Sequence, residues 1–342
     1  MAASTFKYQS VTELRNLDAT FVASTVANDP MLGAMFPLQS VNTHFIRFRQ
    51  KDAFRGLMQA RGFGEKYPVV ARVGASEYLF KPSSYGEHVA IDEEELTLRS
   101  NGDAGAAAMD ISDLVTEADE MLQTRQANRV RHNLWTLILE GVYTVTNKRK
   151  AVVGSDSVTI ARYAGSDWST AASATPIADF RAVGLLAEGT SAAFGPTAKA
   201  YMNQRTANNL LAVTNAADLG GYKVDGGGRL IGMADINRIF AGEGLPQIVV
   251  YHDGYISDAG TFTTWIPDDV VVVVGSFNGQ TRLGQYTLTR HAKNPGRGPG
   301  FYVGVRDTTG DPNTDEAEIA VRRGFNGGPE LWYGGAVVAM TC

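Results

Sequence analysis

Cysteine is nearly absent from this 342-residue chain, because the single cysteine is the last residue, Cys342. An internal disulfide and a cluster of thiolate metal ligands are therefore excluded. The sequence also lacks a run of about 18 apolar residues, which a membrane-spanning helix needs. Residues 1–10 have no apolar core of the kind found in signal peptides. We therefore expect a soluble protein of intracellular origin that is not secreted by the usual route.

The chain has fewer positively than negatively charged residues, with 31 Lys and Arg against 36 Asp and Glu, so its net charge is −5. A general nucleic-acid binder needs a basic surface, so that class is disfavoured. The hydrophobic fraction of 44% is typical of a globular protein, and the 37 glycines favour turns and extended loops. The length allows two or three subdomains around a sizeable core.

Residues that carry chemistry do not converge in the sequence. The histidines are scattered, and none has the spacing of a metal site: His44, His88, His132, His252 and His291. His252 and Asp253 are adjacent and could orient one another in an acid–base site, but a turn at a strand end is the favoured interpretation. The sequence thus predicts no catalytic residue, no cofactor and no metal.

Two glycine- or aspartate-rich segments resemble ligand loops without completing the pattern. Residues 296–300 lack the following helix and the Lys-Ser/Thr pair of a phosphate-binding loop. The segment from Asp311 starts like a calcium loop. However, Glu316 stands where glycine is needed and Arg322 where glutamate is needed. Both segments are therefore interpreted as loops.

The most strongly patterned stretch predicts one long helix, from Asp110 to Glu140, after a small-residue linker at residues 102–108. Asp110 or Ser112 can cap its first turn. Gly141 follows at the position where a left-handed backbone costs glycine nothing. At about 1.5 Å per residue the helix would be roughly 45 Å long, beyond an ordinary globular helix.

The apolar residues of this helix form two stripes on different faces. The first stripe consists of Ile111, Val115, Ala118 and Leu122, and the second of Ala127, Val130, Leu134 and Ile138. At 100° per residue the stripes lie about a third of a turn apart. We expect the two halves of the helix to pack against different neighbours, the second half against the strands predicted at residues 142–160.

Before the helix, the sequence predicts extended structure. Residues 1–40 are interpreted as an extended arm, with a disordered tail as the equal alternative. Residues 41–49 alternate like a strand. Residues 51–95 are interpreted as a long extended loop. Its two strands are predicted at residues 67–73 and 78–82, with a turn between them at Gly74. Residues 92–95, at the end of the loop, form a run of charged residues that we expect to lie in solvent. A lone hairpin is marginally stable in water, so we expect this one to lie on a second subunit, with its own core as the alternative.

After the helix, the sequence alternates strands and helices. Strands are predicted at residues 142–150, 151–164, 246–251, 270–274 and 329–341, and helices from Pro176 and over 197–213. Five consecutive valines at residues 270–274 indicate a strand that is buried on both faces. Residues 219–231 and 276–315 are interpreted as glycine-rich loops.

Several short stretches occur together in an order typical of one family. They are Phe36-Pro37, residues 45–49 (FIRFR), 61–64 (RGFG), 80–82 (FKP) before Ile91-Asp92, the long helix, 139–141 (LEG), Trp168, and 176–179 (PIAD). In this order the chain resembles the lambda-type major capsid proteins of tailed phages, the capsid protein E family. The likeness spans about residues 35 to 215, and the order and spacing of the stretches carry it.

The resemblance implies the α+β capsid fold shared by tailed phages and herpesviruses. It divides the chain into an N-terminal arm and first strand (1–50), an extended loop (51–95), a peripheral domain with the spine helix (96–175), an axial domain (176–295) and a return to the peripheral domain (296–342). Residues assigned to assembly are Arg61, Gly64, Gly74 and Lys81. Some relatives crosslink through a loop lysine. Lys66 and Lys81 are available, but no partner can be placed, so that chemistry is not carried over.

The function implied is that of a major capsid protein. Many copies would assemble as hexamers and pentamers into an icosahedral shell around double-stranded DNA, without sequence-specific binding and without a membrane. Candidate partners are decoration, portal and scaffolding proteins, and the expected location is the virion, after assembly in the host cytoplasm. The alternatives are a cellular nanocompartment shell of the same fold and a soluble α+β enzyme.

Overall fold

The computed structural model describes residues 29, 33–43, 45–51, 57–58, 60–61, 63–64, 66–67, 69–70, 74–91, 104–146, 152–216, 232–291, 298–307 and 318–342. The chain divides into two compact units. Unit 1 comprises residues 1–46, 80–133 and 285–329, and unit 2 comprises residues 47–79, 134–284 and 330–342. None of the helices in the described ranges has the length and hydropathy needed to cross a membrane.

The helices and strands follow one another in mixed order. The helices are α1 (Ala104–Glu140), α2 (Pro176–Leu185), α3 (Gln204–Ala216) and α4 (Met233–Gly242). The first strands are β1 (Leu38–Ser40), β2 (Ile46–Lys51), β3 (Ala75–Phe80), β4 (Ser83–Ile91), β5 (Val142–Thr146), β6 (Val152–Ser157), β7 (Ala161–Ala164), β8 (Ala192–Ala193) and β9 (Lys199–Met202). The later strands are β10 (Gln247–Val250), β11 (Gly254–Ile256), β12 (Phe262–Thr264), β13 (Val270–Val274), β14 (Ser276–Phe277), β15 (Gly284–Thr289), β16 (Phe301–Asp307), β17 (Ile319–Leu331) and β18 (Val337–Thr341).

Helix α1 is longer than its sequence pattern predicts. It begins at Ala104, so the predicted cap at Asp110 or Ser112 is wrong. Alanine has the highest helix propensity, and the alanine-rich stretch interpreted as a linker is helical instead. The predicted end is confirmed: Gly141 has a φ of 68°, and its N–H donates to the carbonyl of Leu137 at 2.9 Å. A Cβ at this glycine would lie 2.8 Å from the carbonyl oxygen of Val158, so a larger residue is excluded.

Unit 1 is built on a sheet with the strand order β1-β15-β17-β16, in which β4 also pairs with β17. Strand β17 is antiparallel to both β16 and β4. The first stripe of α1 supplies Val115, Ala118 and Leu122 to a buried apolar cluster, which also contains Ile91, Ile319 and Val321. The first half of the helix therefore packs on this sheet.

A buried ion pair lies beside the apolar cluster of unit 1. Arg323 of β17 donates from Nε to Asp119 Oδ1 at 2.6 Å and from Nη2 to Asp119 Oδ2 at 2.8 Å. Both side chains are 2% exposed. Gln123 donates to the same carboxylate at 3.0 Å, and Gln126 donates to the carbonyl of Gly324 at 3.2 Å. One face of α1 is thus joined to β17 by hydrogen bonds in which the buried polar groups of the helix and the strand find partners.

Unit 2 is built on a second sheet, with the strand order β10-β9-β13-β18-β7. Its central strand is β13, and Val271, Val272 and Val273 are fully buried, which confirms the strand predicted from the run of valines. The core of this unit also takes Trp168, Phe180 of α2 and Phe240 of α4. The last strand, β18, pairs with β13 and β7, so the C-terminal residues belong to unit 2.

The last turns of α1 lie in unit 2 and bury their own side chains there. Leu134, Leu137 and Ile138 are at most 1% exposed. The ring of Trp135 lies 6.2 Å from Tyr201 and 5.1 Å from Tyr251, measured between centroids. The expectation that the two halves of the helix pack against different neighbours is confirmed. The predicted strands after the helix are also present, as the antiparallel pair β5–β6.

One predicted helix begins too early. Residues 199–202 form strand β9, and α3 starts only at Gln204. Ala200, Tyr201 and Met202 are fully buried, and they pair with β13 on one side and β10 on the other. Asn203 sets the helix start, because its Oδ1 accepts the N–H of Thr206 at 2.8 Å, as an N-cap does.

Other predicted elements need correction. Strand β3 pairs with β2 rather than with residues 67–73, and Tyr67, Val69 and Val70 are not in a strand. The strand predicted over residues 41–49 begins only at Ile46. The segment 276–315, interpreted as loops, contains β14, β15 and β16, and the predicted terminal strand is divided between β17 and β18. Residues 92–95, 219–231 and 311–317 and most of the N-terminal arm lie outside the described residues.

Removing the acidic partner of the buried ion pair should be costly. Asp119→Ala leaves the guanidinium of Arg323 uncompensated, and we expect unfolding in urea to show a loss of about 3–5 kcal/mol. The control is Arg125→Ala, whose ion pair with Glu87 is 42% and 49% exposed and should contribute at most about 1 kcal/mol. A double change, Asp119→Leu with Arg323→Met, should recover much of the loss. Equal stability of Asp119→Ala and Arg125→Ala would contradict this account.

A charge in the second stripe of α1 should prevent folding. Leu134 is 1% exposed, and an unpaired aspartate there costs several kcal/mol, comparable with a whole domain stability of about 5–15 kcal/mol. We expect Leu134→Asp to be insoluble on expression. The matched control is Met121→Asp on the same helix, where the side chain is 48% exposed and the protein should remain soluble. A soluble Leu134→Asp with wild-type melting would show that the site tolerates water.

Candidate assembly surface

The segment that follows β2 exposes an unusual amount of apolar surface. We call its described residues between 57 and 70 the exposed loop. Leu57 and Val69 are 95% and 99% exposed. Met58, Phe63, Tyr67 and Val70 also stand in solvent. A hairpin that folded on its own core would bury such side chains, and contiguous exposed apolar surface commonly marks an interaction site.

Strands β2 and β3 anchor the exposed loop at its base. The rings of Phe48 and Tyr78 stack with centroids 5.2 Å apart, and the hydroxyl of Tyr78 donates to Gln50 Oε1 at 3.0 Å. Phe48 is buried, whereas Arg47 and Arg49 on either side of it are exposed. The alternation of β2 thus divides its side chains into an inner apolar face and an outer basic face.

Two arginines of β2 share one carboxylate on β3. Arg47 lies 2.6 Å from Glu77 Oε1, and Arg49 Nε lies 3.4 Å from the same oxygen. The hydrogen bond from Arg47 lowers the pKa of Glu77, and Arg49 acts in the same direction. Glu77 is therefore ionised at neutral pH, and one negative charge faces two positive ones. The outer face of this strand pair keeps a positive excess.

The exposed loop contains a local contact that closes a turn. Arg61 donates from Nη2 to the hydroxyl of Tyr67 at 3.2 Å, and its guanidinium carbon lies 4.1 Å from the centre of the Tyr67 ring. Gly64 lies between them with a φ of 89°. This is a left-handed conformation that side chains other than glycine rarely adopt. Gly64 thus permits the turn that Arg61 and Tyr67 close.

The four residues assigned to assembly all lie on the surface, at different places. Arg61 and Gly64 belong to the exposed loop, Gly74 is exposed immediately before β3, and Lys81 is exposed immediately after it. Their role in assembly stays a prediction. Sequence reasoning missed the Arg47–Glu77 contact, although the alternation of apolar and basic residues at 46–49 was a signal for an exposed basic face.

The residue pair considered for acid–base chemistry does not lie in an enclosed site. His252 and Asp253 follow β10 and are both exposed. Within the described ranges, no group of three or more His, Cys, Asp or Glu side chains could hold a metal ion.

Polar substitution in the exposed loop should separate assembly from folding. In the variant Phe63→Ser/Val69→Ser/Val70→Ser, no buried contact is removed, so the free energy of unfolding should stay within about 0.5 kcal/mol of wild type for each change. Association measured by sedimentation velocity should be strongly weakened. Leu185→Ser, which changes a 61% exposed leucine at the end of α2, is the control and should associate normally. Unfolding of the triple variant would instead assign the exposed loop to the subunit's own core.

Comparison with known proteins gives a consistent set of similarities. A family model described as phage major capsid protein E matches residues 14–286. The structure is similar to that of a putative capsid protein of a prophage of E. coli CFT073, with a TM-score of 0.54 and 16% sequence identity over 95% of this chain and 98% of that chain. It is also similar to the capsid of a native GTA particle, with a TM-score of 0.52 and 11% identity over 100% of this chain and 94% of that chain. Curated protein sequences give no match. At identities this low, the structural similarities establish the fold alone.

Proposed function

Because the chain belongs to the phage major capsid protein E family, it forms the shell of a capsid from many copies of itself, and we propose how that shell is organised. The copies assemble as hexamers and pentamers into an icosahedral head that encloses double-stranded DNA. The protein holds this DNA by enclosure and does not read its sequence.

The observation that carries this proposal is the exposed loop on its anchored base. A protein that worked as a monomer would gain nothing from leaving Leu57 and Val69 almost fully exposed. In a shell of identical copies, every such loop has a neighbour that it can cover. The four residues predicted to act in assembly then have different roles. Gly64 permits the turn in the middle of the exposed loop, Gly74 lies just before the start of β3, and Arg61 and Lys81 supply charges toward the neighbour.

In the proposed subunit, different parts of the chain serve different contacts. We propose that the extended loop (51–95) reaches the neighbour, that the part carrying α1 (96–175, joined by 296–342) forms the periphery of each capsomer, and that residues 176–295 lie toward its axis. Assembly takes place in the host cytoplasm. Portal, decoration and scaffolding proteins are the partners expected of such a shell.

The family is one of structural proteins, and we propose that this chain has no turnover of its own. A screen of hydrolase, transferase and redox substrates should give only background rates. A reproducible activity that is lost on changing His252 or Asp253 would overturn this proposal.

Electron microscopy of the purified protein tests the proposed organisation. Negatively stained wild-type protein should contain closed shells or isolated capsomers with sixfold and fivefold symmetry. Shells that form in infected cells should contain DNA. Closed shells that instead hold a cellular protein would identify a nanocompartment. A monodisperse monomer under all assembly conditions would contradict the shell architecture.

A further inference from the structure

Strand β10 stands at one end of the sheet of unit 2 and is parallel to its neighbour β9. The N–H of Gln247 points to the β9 side, where it donates to the carbonyl of Ala198 at 2.9 Å. In a parallel pair, the backbone groups of alternate residues point to opposite sides of the strand. The N–H and C=O of Ile248 therefore point away from β9. An edge of this kind is a template on which another extended chain can pair.

The side chain of Asn237, on helix α4, occupies this edge. Its Nδ2 donates to the carbonyl of Ile248 at 3.0 Å, and its Oδ1 accepts the N–H of the same residue at 2.7 Å. A residue of an antiparallel strand would exchange the same two bonds with Ile248. The amide group of Asn237 thus takes the place of a paired residue.

Packing of α4 in the core of unit 2 carries this amide to the strand. Ile236 and Phe240 of α4 are 1% and 2% exposed, and both belong to the buried apolar cluster of the unit. Ile248 contributes its side chain to the same cluster. Asn237 follows Ile236 directly in the helix. The contact between Asn237 and the edge therefore follows from apolar packing that the helix and the strand share.

The opposite end of the sheet, at β7, is protected by different means. Arg162 is exposed on that strand, and its Nη2 donates to the carbonyl of Glu140 at 2.5 Å. Charged side chains on an edge strand oppose pairing with another chain. Strand β10 has the sequence Gln-Ile-Val-Val and carries no charge. At β10 the protection therefore comes from the amide of Asn237 instead of from charge.

The segment that contains β10 is well suited to pair with a copy of itself. Residues 247–252 read Gln-Ile-Val-Val-Tyr-His and contain no Asp, Glu, Lys, Arg or Pro. Short segments of high β propensity, low net charge and no proline are those that pair between chains in cross-β structure. The valines of β13 have a similar character, but that strand lies between β9 and β18. Of these two apolar strands, only β10 stands at an edge.

We propose that Asn237 determines the specificity of assembly, because it closes the edge of β10 against the same strand of a second copy. Two copies that paired through this edge would be diverted from the shell. A second copy is the relevant partner, since many identical copies meet during assembly and each carries the same segment. This role goes beyond the proposed organisation of the shell, because it concerns a contact that the shell must avoid.

Two substitutions of Asn237 and a matched control test this role in the full-length protein. Asn237→Ala removes both bonds to Ile248. Asn237→Asp still accepts the N–H of Ile248 but cannot donate to its carbonyl, so it is the milder change. Asn208→Ala is the control, since Asn208 is exposed on helix α3 of the same unit and bonds Gln204 of its own helix. Circular dichroism melting verifies that each variant is folded.

A labelled peptide with the sequence of residues 247–252 tests strand addition directly. It should bind Asn237→Ala in fluorescence anisotropy and should not bind wild type or Asn208→Ala. The same peptide with Val249→Pro should not bind any of them, because proline removes a backbone donor and disfavours strand pairing. Without the peptide and in dilute solution, hydrogen exchange at the amide of Ile248 should be at least about tenfold faster in Asn237→Ala than in wild type.

Electron microscopy and a second-site change test the consequence for assembly. Asn237→Ala should give fewer closed shells than wild type, whereas Asn208→Ala should match wild type. Gln247 is exposed on β10, and a lysine there opposes edge pairing without restoring the bonds of Asn237. The double variant Asn237→Ala/Gln247→Lys should therefore recover shells while exchange at Ile248 stays fast. Gln247→Lys alone should assemble as wild type does.

The outcomes distinguish edge closure from a merely structural role of Asn237. Normal shells and no peptide binding in Asn237→Ala would overturn the inference, and so would equal binding of the Val249→Pro peptide. A double variant that assembles as poorly as Asn237→Ala would show general damage to unit 2 and would also overturn it. If Asn237→Ala does not fold, Asn237→Asp is read by the same peptide. Failure of wild type to form shells would contradict the proposed function, while the peptide still tests the edge.

Discussion

The carboxylate of Asp119 and the guanidinium of Arg323 meet through two hydrogen bonds where water does not reach. Removing two charges from water is costly, and the pair is tolerable because each member satisfies the other. Gln123 donates a further bond to the carboxylate. Apolar packing alone would allow α1 to shift along the sheet by a turn, whereas a two-bonded pair fixes one register. The position of everything that α1 carries in unit 1 depends on that register.

The same helix is shared between two cores of different chemistry. Its first half combines an apolar stripe with the buried ion pair, whereas its last turns contribute Trp135 to a group of rings with Tyr201 and Tyr251. Gly141 then ends the helix, where a Cβ would meet the backbone of Val158. Most of the stability of such a helix comes from its tertiary contacts rather than from intrinsic propensity, and α1 has two separate sets of them.

The sequence was sufficient to predict a helix or strand where the local residue pattern agrees with the environment that the element has in the folded protein. Five consecutive β-branched valines favour a buried strand, and a glycine after a long periodic run ends the helix. It was insufficient for β17, whose arginines, asparagine and glycines do not resemble a buried strand. The reason is non-local, since Arg323 is neutralised by a residue 204 positions away. Strand β9 was mistaken for helix because its burial depends on pairing with β13 and β10. The exposure of the loop is likewise set by tertiary structure, although its residues could be named from the sequence.

A subunit with exposed apolar side chains must avoid pairing with the same surface of another copy. Leu57 and Val69 would invite loops to associate with loops, since like apolar surfaces attract without direction. The positive charges interspersed with them repel an identical loop at short range. Charge therefore disfavours the symmetric contact between two identical loops. Contacts between different surfaces propagate from copy to copy, and they close into rings when the rotation between copies permits, as a shell requires.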